Sequence, residues 1–154
     1  CYGIVGGGTS LEEMKALAVR LGLDDIVTFT GRAPDDVMLD YLNTADICVN
    51  PDEYNPMNDK STMNKVLEYM ALGKPIVQFD LTEGRFSAQA ASLYAKPNDS
   101  VDMAKKIVSL LDDAQKRNEM SVYGRKRVVE ELSWEHTSKA LLEGYRAFFE
   151  GEIE

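Results

Sequence analysis

Cysteine, histidine and long apolar runs are scarce in this chain, and each shortage excludes a class of protein. The 154 residues include two cysteines, Cys1 and Cys48, and one histidine, His136. Two cysteines give no disulfide framework, which favours a cytoplasmic location. A single histidine without a Cys, Asp or second His at ligand spacing gives no support for a metal site. Because no apolar run approaches the roughly 20 residues that span a bilayer, we expect no transmembrane helix.

Positive charge is also in short supply. Lys and Arg number 17 against 26 Asp and Glu, which gives a formal net charge of −9. Such a chain repels nucleic acid and anionic lipid, although a local basic patch can still receive a phosphate. Nucleic acid is therefore not an expected partner. The first residue, Cys1, is not Met and opens directly into an apolar run, so we expect the natural chain to begin earlier.

Short apolar runs alternate with longer amphipathic ones as far as the nineties. The short runs are β-branched or aromatic and predict strands at 2–5, 26–30, 46–50, 75–79 and 92–95. Apolar residues recur every three or four positions at 11–21, 35–42 and 62–72, which predicts helices. This alternation is typical of an α/β fold with a Rossmann-like parallel sheet flanked by helices, where ligands bind beyond the carboxyl ends of the strands. Cys48 is expected to be a small buried hydrophobe in its strand.

After the last strand the sequence predicts helices alone. Apolar stripes with charged outer faces lie at 101–111, 114–132 and 134–149. Ser100 is the predicted N-cap of the first of these helices, and Ser133 caps or kinks the last. The simplest interpretation is that these helices pack against the sheet and have no catalytic role. Trp134 and His136 are included in this interpretation. The predicted organisation is one domain over 1–154, with a βα core at 1–99 and a helical tail at 100–154.

A glycine-rich turn follows the first predicted strand. Gly6, Gly7 and Gly8 precede a helix that begins near Leu11, an arrangement in which bare amides and a helix N-terminus face an anion. Gly7 is therefore a candidate phosphate contact, and a plain tight turn is the alternative. The spacing is not G-x-G-x-x-G and no P-loop Lys follows. Dinucleotide oxidoreductase and Walker-type NTPase functions lose support.

A polar loop and the helix after it hold the more informative pattern. The predicted helix at 62–72 buries one face and leaves a polar row outside it. Lys60, Asn64 and Glu68 lie four apart and are expected to stack along that row. Free amides at Ser61, Thr62 and Met63 are then placed to receive a diphosphate, while Glu68 accepts hydrogen bonds from ribose hydroxyls. The alternative is that Lys60 and Glu68 are solvated surface charges.

Several blocks of the chain point to one family. Gly3–Gly8 forms a strand with a glycine loop, Ile26–Arg32 a strand that ends in glycine, and Ala45–Pro51 leads into the polar loop. Leu67–Val77 is close to a Leu-Glu-Ala-Met-Ala-x-Gly-x-Pro-Val-Val type sequence, and Ser133–Glu135 precedes a long helix. In order and spacing these blocks resemble the C-terminal, donor-binding domain of retaining glycosyltransferases of family 4. The resemblance covers nearly the whole chain and implies the C-terminal half of a GT-B fold.

The resemblance implies roles for two residues of the polar row. In the family, the second Glu of an E-x7-E motif binds the ribose of the sugar nucleotide, and this role falls on Glu68. The first Glu, which contacts the transferred sugar, falls on Lys60. An ammonium only donates hydrogen bonds where a carboxylate accepts them. Two alternatives stay open: Lys60 meets a different or anionic sugar or a phosphate, or Asp59 or Glu53 takes over the contact.

The positions for diphosphate and base follow from the same resemblance. Ser61, Thr62 and Met63 replace the small Gly-Phe-Gly positions of the family, and their amides are expected to contact the diphosphate. Gly31 and Arg32 lie where the family holds the nucleotide base, partly through backbone atoms. Basic residues that neutralise the diphosphate are expected in a segment before Cys1.

The function implied is transfer of a sugar, with retained configuration, from a nucleotide-sugar donor to a glycan or lipid-linked acceptor. The acceptor is expected to bind an N-terminal domain that this chain lacks, so the chain alone is expected to bind donor weakly and to transfer nothing. No cofactor and no obligatory metal are implied, and peripheral membrane association of the intact protein stays open. The alternatives are a non-catalytic α/β interaction module and a nucleotide-sugar epimerase or hydrolase on the same fold.

Overall fold

A computed structural model describes residues 1–151 of the chain. The chain divides into two compact units, Cys1–Thr44 and a second that begins at Ala45. Each unit is a parallel βα arrangement. Among the described residues, no helix is long and apolar enough to cross a bilayer.

The first unit contains two strands and two helices. Strand β1 (Tyr2–Val5) leads to helix α1 (Leu11–Arg20), and strand β2 (Val27–Gly31) leads to helix α2 (Asp35–Thr44). The strands pair in parallel, with Tyr2 opposite Val27, and the register shifts by one residue after Ile4. Gly3 lies against the ring of Tyr41 on α2, where an added Cβ would come within 2.7 Å of two ring atoms. A glycine at this position lets the helix lie close to the strand.

As far as residue 151, the second unit contains a three-stranded parallel sheet and five α-helices. The sheet has the order β3-β4-β5, and all three strands run in the same direction. The elements are β3 (Cys48–Asn50), α3 (Asn64–Ala71), β4 (Ile76–Phe79), α4 (Thr82–Ala88), β5 (Ser92–Ala95), α5 (Ser100–Leu111), α6 (Ala114–Arg127) and α7 (Trp134–Phe149). A π-helical segment, Val128–Leu132, joins α6 to the turn before α7.

The core of this unit has two layers because β4 is buried on both faces. Ile76 packs on one side with Val66 and Met70 of α3 and with two alanines from the region of α4. Val77 and Phe79 face a second cluster that includes Met103 and Leu110 of α5. Side chains alternate across a strand, so neighbouring residues of β4 serve opposite layers. The prediction of parallel strands flanked by helices is confirmed.

Cys48 is buried as predicted, at the first position of β3. Burial raises the pKa of its thiol to about 11, and the positive charge of Lys74 opposes the rise. A thiol with this pKa stays protonated at neutral pH and behaves as a small apolar group.

The helices differ from the sequence predictions at three places, and the predicted N-cap of α5 is wrong. Helix α4 was not predicted between the fourth and fifth strands. The N-cap of α5 is Asp99, whose carboxylate accepts a hydrogen bond from the amide of Asp102, and Ser100 is the first helical residue. The predicted helix at 114–132 changes to π-helical geometry after Arg127.

The helical tail packs against the sheet only in part. Helix α5 contacts β4 and β5, as predicted. Of the sixteen residues of α7, all of them described, none is buried, and Trp134 at its start is 70% exposed. The apolar stripe of α7 therefore remains on the surface of its unit.

Candidate functional site

A short 3-10 turn forms the approach to α3 at the carboxyl end of β3. The side-chain carbonyl of Asn55 accepts hydrogen bonds from the amides of Met57 (3.0 Å) and Asn58 (2.8 Å). This side-chain turn starts the 3-10 segment Asn58–Lys60, and the backbone is extended again at Ser61. Lys60 is exposed and lies on this turn, outside α3.

The start of α3 lies two residues later than predicted. Met63 occupies the N-cap position with extended backbone angles, and its apolar side chain supplies no capping hydrogen bond. The amide of Ser61 is already bonded to the carbonyl of Asn58 (3.2 Å), so the prediction that it is free is wrong. The first-turn amides are those of Asn64 and Lys65. They have no side-chain cap within the described chain and carry the positive end of the helix dipole.

The predicted polar row is shorter in the structure. Asn64 and Glu68 are both exposed and lie one turn apart on α3, so they share a face. Lys60 precedes Ser61 and Met63, whose backbone is extended, and does not continue this row as a helical neighbour. In the part of the chain that the structure describes, the carboxylate of Glu68 has no hydrogen-bond or ion-pair partner. Glu68 is therefore available to a ligand.

Two hydrogen bonds attach the approach segment to α4. The carboxylate of Asp59 accepts from the amide of Thr82 (2.8 Å) and from its hydroxyl (3.0 Å). The hydroxyl of Thr62 donates to the carboxylate of Glu83 (2.8 Å). Both oxygens of Asp59 are thus engaged within the unit.

Two further contacts hold the earlier part of the loop. Asp52 forms an ion pair with Lys65, in the first turn of α3, at 2.9 Å. The side-chain amide of Asn98 accepts from the backbone amide of Tyr54 (2.7 Å) and donates to its carbonyl (3.4 Å). Asn98 has a positive φ of 59°, which Asn tolerates better than most residues. The loop between β3 and α3 is therefore fixed at both of its ends.

A buried polar pair lies beneath this loop, at the ends of β3 and β4. Asn50 and Gln78 are register partners, and their relative exposures are 2% and 1%. The amide of Gln78 accepts from Asn50 at 3.5 Å and donates to the carbonyl of Gly84 at 3.3 Å. The side-chain oxygen of Asn50 has no partner among the described residues. The pair connects both strand ends to α4.

A charged pair, Asp80 and Arg85, follows the carboxyl end of β4. Arg85 of α4 donates two hydrogen bonds to Asp80, at 2.7 and 2.6 Å, and lies 4.2 Å from the centre of the Tyr94 ring. The hydrogen bond to Asp80 raises the pKa of Arg85, and burial raises the pKa of Tyr94 to about 12. The Arg85 guanidinium is therefore occupied by residues of its own unit.

The first unit holds the other predicted contacts. The amide of Gly6 donates to the carbonyl of Gly31 (2.9 Å), which joins the carboxyl ends of β1 and β2. Gly31 has a φ of +65°, a conformation that favours glycine. An added Cβ at Gly7 would lie 3.3 Å from the amide nitrogen of Arg32. The structure thus brings Gly7, Gly31 and Arg32 together at one strand edge, with the Arg32 side chain exposed.

Only weak sequence signals mark the residues that fix the loop. Asn98 stands in a Pro-Asn-Asp turn, which predicts an unusual backbone conformation but not its pairing with Tyr54. The sequence suggests Asp59 as a substitute sugar contact, and it gives no sign that this carboxylate caps α4, 23 residues further along. Such contacts depend on tertiary structure and leave no local spacing pattern.

Comparisons with known proteins concern the family and the fold. Residues 2–113 match the family model of glycosyl transferases group 1. A D-inositol 3-phosphate glycosyltransferase of Nocardia farcinica is 29% identical over 153 residues, which cover 94% of this chain and 32% of that protein. The chain thus spans about a third of the length of that curated relative.

Solved structures show the same fold. Sucrose-phosphate synthase from Thermosynechococcus elongatus superimposes with a TM-score of 0.84 at 25% identity, over 97% of this chain and 38% of that one. TarM from S. aureus, in a complex that includes UDP, gives a TM-score of 0.77 at 19% identity, over 96% of this chain and 28% of that one. Both are GT-B glycosyltransferases. With most of its length matched by the family model, this chain belongs to the group 1 glycosyltransferases.

Proposed function

We propose that this chain is the donor-binding part of a retaining glycosyltransferase that uses a nucleotide sugar. The sugar passes from the nucleoside diphosphate to a glycan or lipid-linked acceptor, which binds elsewhere in the intact protein. The observation that carries the proposal is the start of α3, where uncapped amides at Asn64 and Lys65 precede the exposed, unpaired carboxylate of Glu68. The UDP in the TarM complex supports a nucleoside diphosphate as the ligand of this fold.

The chemistry of α3 suits the two halves of such a ligand. Amides at a helix N-terminus attract phosphate oxygens, and the exposed Lys60 just before them adds positive charge. Glu68 lies about 6 Å further along the helix axis than Asn64 and accepts hydrogen bonds from the ribose hydroxyls. As the sugar leaves, negative charge grows on the diphosphate. The same amides and the Lys60 ammonium stabilise it without nucleophilic attack by a side chain.

Binding of modified nucleotides tests the role of Glu68. In the full-length protein, isothermal titration compares UDP and GDP with their 2′-deoxy forms. We expect Glu68→Gln to weaken binding of the preferred ribonucleotide about tenfold, since it removes hydrogen bonds to a charged acceptor. The variant should also lose most of the preference of the wild type for the ribonucleotide over the deoxynucleotide.

A matched variant controls for the loss of one negative charge. Glu143 is exposed on α7, and Glu143→Gln should leave both affinities unchanged. If neither UDP nor GDP binds, or if Glu68→Gln keeps the preference for the ribonucleotide, the proposed function is contradicted.

A further inference from the structure

We propose that Asp59 is a positioning residue that holds the segment Lys60–Met63 in place by capping α4. The proposal rests on the nucleotide-binding function above, which assigns Lys60 and the two amides that follow this segment to the diphosphate. Asp59 immediately precedes Lys60 and gives one carboxylate oxygen to the amide of Thr82 and the other to its hydroxyl, at 2.8 and 3.0 Å. A carboxylate is a strong N-cap, because it satisfies a first-turn amide and faces the positive end of the helix dipole.

A second contact holds the same segment from its other side. The Thr62 hydroxyl donates to Glu83, which also accepts from Ser87 at 3.2 Å. Lys60 and Ser61 therefore lie between two attachment points, Asp59 and Thr62, and both attach to the first two residues of α4.

Helix α4 is itself fixed to the rest of its unit. The buried amide of Gln78, on β4, donates to the carbonyl of Gly84. The guanidinium of Arg127, which is 5% exposed, donates to the carbonyls of Phe86 and Ser87 at 3.0 Å each. The cap by Asp59 therefore sets the segment against a helix that is bonded to both the sheet and α6.

The charge of Asp59 separates positioning from simple electrostatics. A carboxylate next to a phosphate site repels the ligand, so Coulomb's law alone predicts that its removal tightens diphosphate binding. A positioning role predicts the opposite sign, since the amides and Lys60 lose their fixed geometry. Because both oxygens already accept from Thr82, Asp59 has fewer acceptor positions left for the sugar contact that the sequence also suggests for it.

Titration of the full-length protein with UDP and GDP, and with uridine and guanosine as probes without phosphate, tests the proposal. We expect Asp59→Ala to weaken binding of the preferred diphosphate about tenfold, or about 1.4 kcal/mol. Binding of the matching nucleoside, followed by NMR, should not change. Asp59→Asn keeps an acceptor oxygen and loses the charge, so it should bind the diphosphate at least as tightly as the wild type.

Asp113 provides a matched control, because it caps α6 through the amide of Lys116 at 2.8 Å. Asp113→Ala should lower the unfolding midpoint without changing nucleotide affinity. If Asp59→Ala does not fold, Thr82→Val replaces it: loss of the hydroxyl should weaken diphosphate binding about threefold, and Thr82→Ser should restore it.

Two outcomes overturn the positioning role. One is an Asp59→Ala or Thr82→Val protein that binds the diphosphate as tightly as the wild type. The other is an Asp113→Ala protein that weakens binding equally. If the wild type binds no nucleoside diphosphate, the proposed function itself fails, and this result is distinct from both.

Discussion

Gly84 lies where α4 contacts the buried side-chain amide of Gln78. Its replacement by alanine tests how much that contact contributes to stability. A Cβ at position 84 would lie 2.8 Å from the Gln78 side-chain oxygen and 3.4 Å from the carbon that bears it. Gln78 is 1% exposed and bonds to both Asn50 and the Gly84 carbonyl. The alanine methyl therefore forces this amide out of its hydrogen bonds.

Two opposing terms set the size of the effect. Loss of the two hydrogen bonds costs about 1 kcal/mol each. A buried amide left without partners costs about 1–3 kcal/mol, and this desolvation cost overlaps in part with the loss of the bonds. Against this, alanine is about 1 kcal/mol better than glycine inside a helix. The cost of displacing the Gln78 amide is larger than this gain in helix propensity. We therefore expect Gly84→Ala to lower the free energy of unfolding by about 2 kcal/mol.

Urea unfolding followed by far-UV circular dichroism measures this change, with Gly144→Ala as the matched substitution. Gly144 is also helical, and nothing in the described chain lies within 4 Å of its added Cβ. Gly144→Ala should keep or raise the helical signal of α7. In the double variant Gln78→Ala with Gly84→Ala, the steric overlap between the added methyl and the Gln78 amide is gone. Its loss of stability should therefore be smaller than the sum of the losses in the two single variants. A Gly84→Ala protein as stable as the wild type would refute the reasoning.

Two further predictions concern buried polar groups. Burial raises the pKa of Cys48 from an ordinary 9.0 to about 11, so its contribution to stability is complete below pH 9 and is lost as the pH rises through 11. Between pH 9 and 11 the wild type should therefore lose about 3 kcal/mol of unfolding free energy that Cys48→Ala does not lose, as measured by urea midpoints. If the unfolding free energy of Cys48→Ala falls with pH as steeply as that of the wild type, the prediction is contradicted. Arg127→Leu leaves the Phe86 and Ser87 carbonyls without their donor and should lower the free energy of unfolding by about 2 kcal/mol. Arg127→Lys should recover part of the loss, and equal stability of wild type and Arg127→Leu in urea contradicts the prediction.

The regular elements were predictable where hydrophobic spacing alone decides. Strands β1 and β5 and helix α7 have the predicted bounds, because their apolar residues follow a clear period of two or of three to four. Helix α4 was not predictable in this way. It is short, has a glycine at its third position and takes its cap from Asp59, which is distant in the sequence. No local rule identifies a cap supplied by another segment.

The candidate site was predictable in part. The exposed position of Glu68 on α3 follows from the amphipathic pattern around it. The start of α3 was misplaced, since Ser61 and Met63 have extended backbone and the preceding turn depends on the Asn55 side chain. Local hydrogen bonds of this kind compete with the helix and shorten it.

The single tryptophan of the sequence, Trp134, stands at the head of α7 with most of its indole in water. Its fluorescence is therefore a built-in reporter for that helix alone, undiluted by other indoles. Emission shifts toward the blue when an indole leaves water. Any molecule or chain segment that covers the first turn of α7 is therefore expected to shift the native emission spectrum, and no added label is needed to detect it.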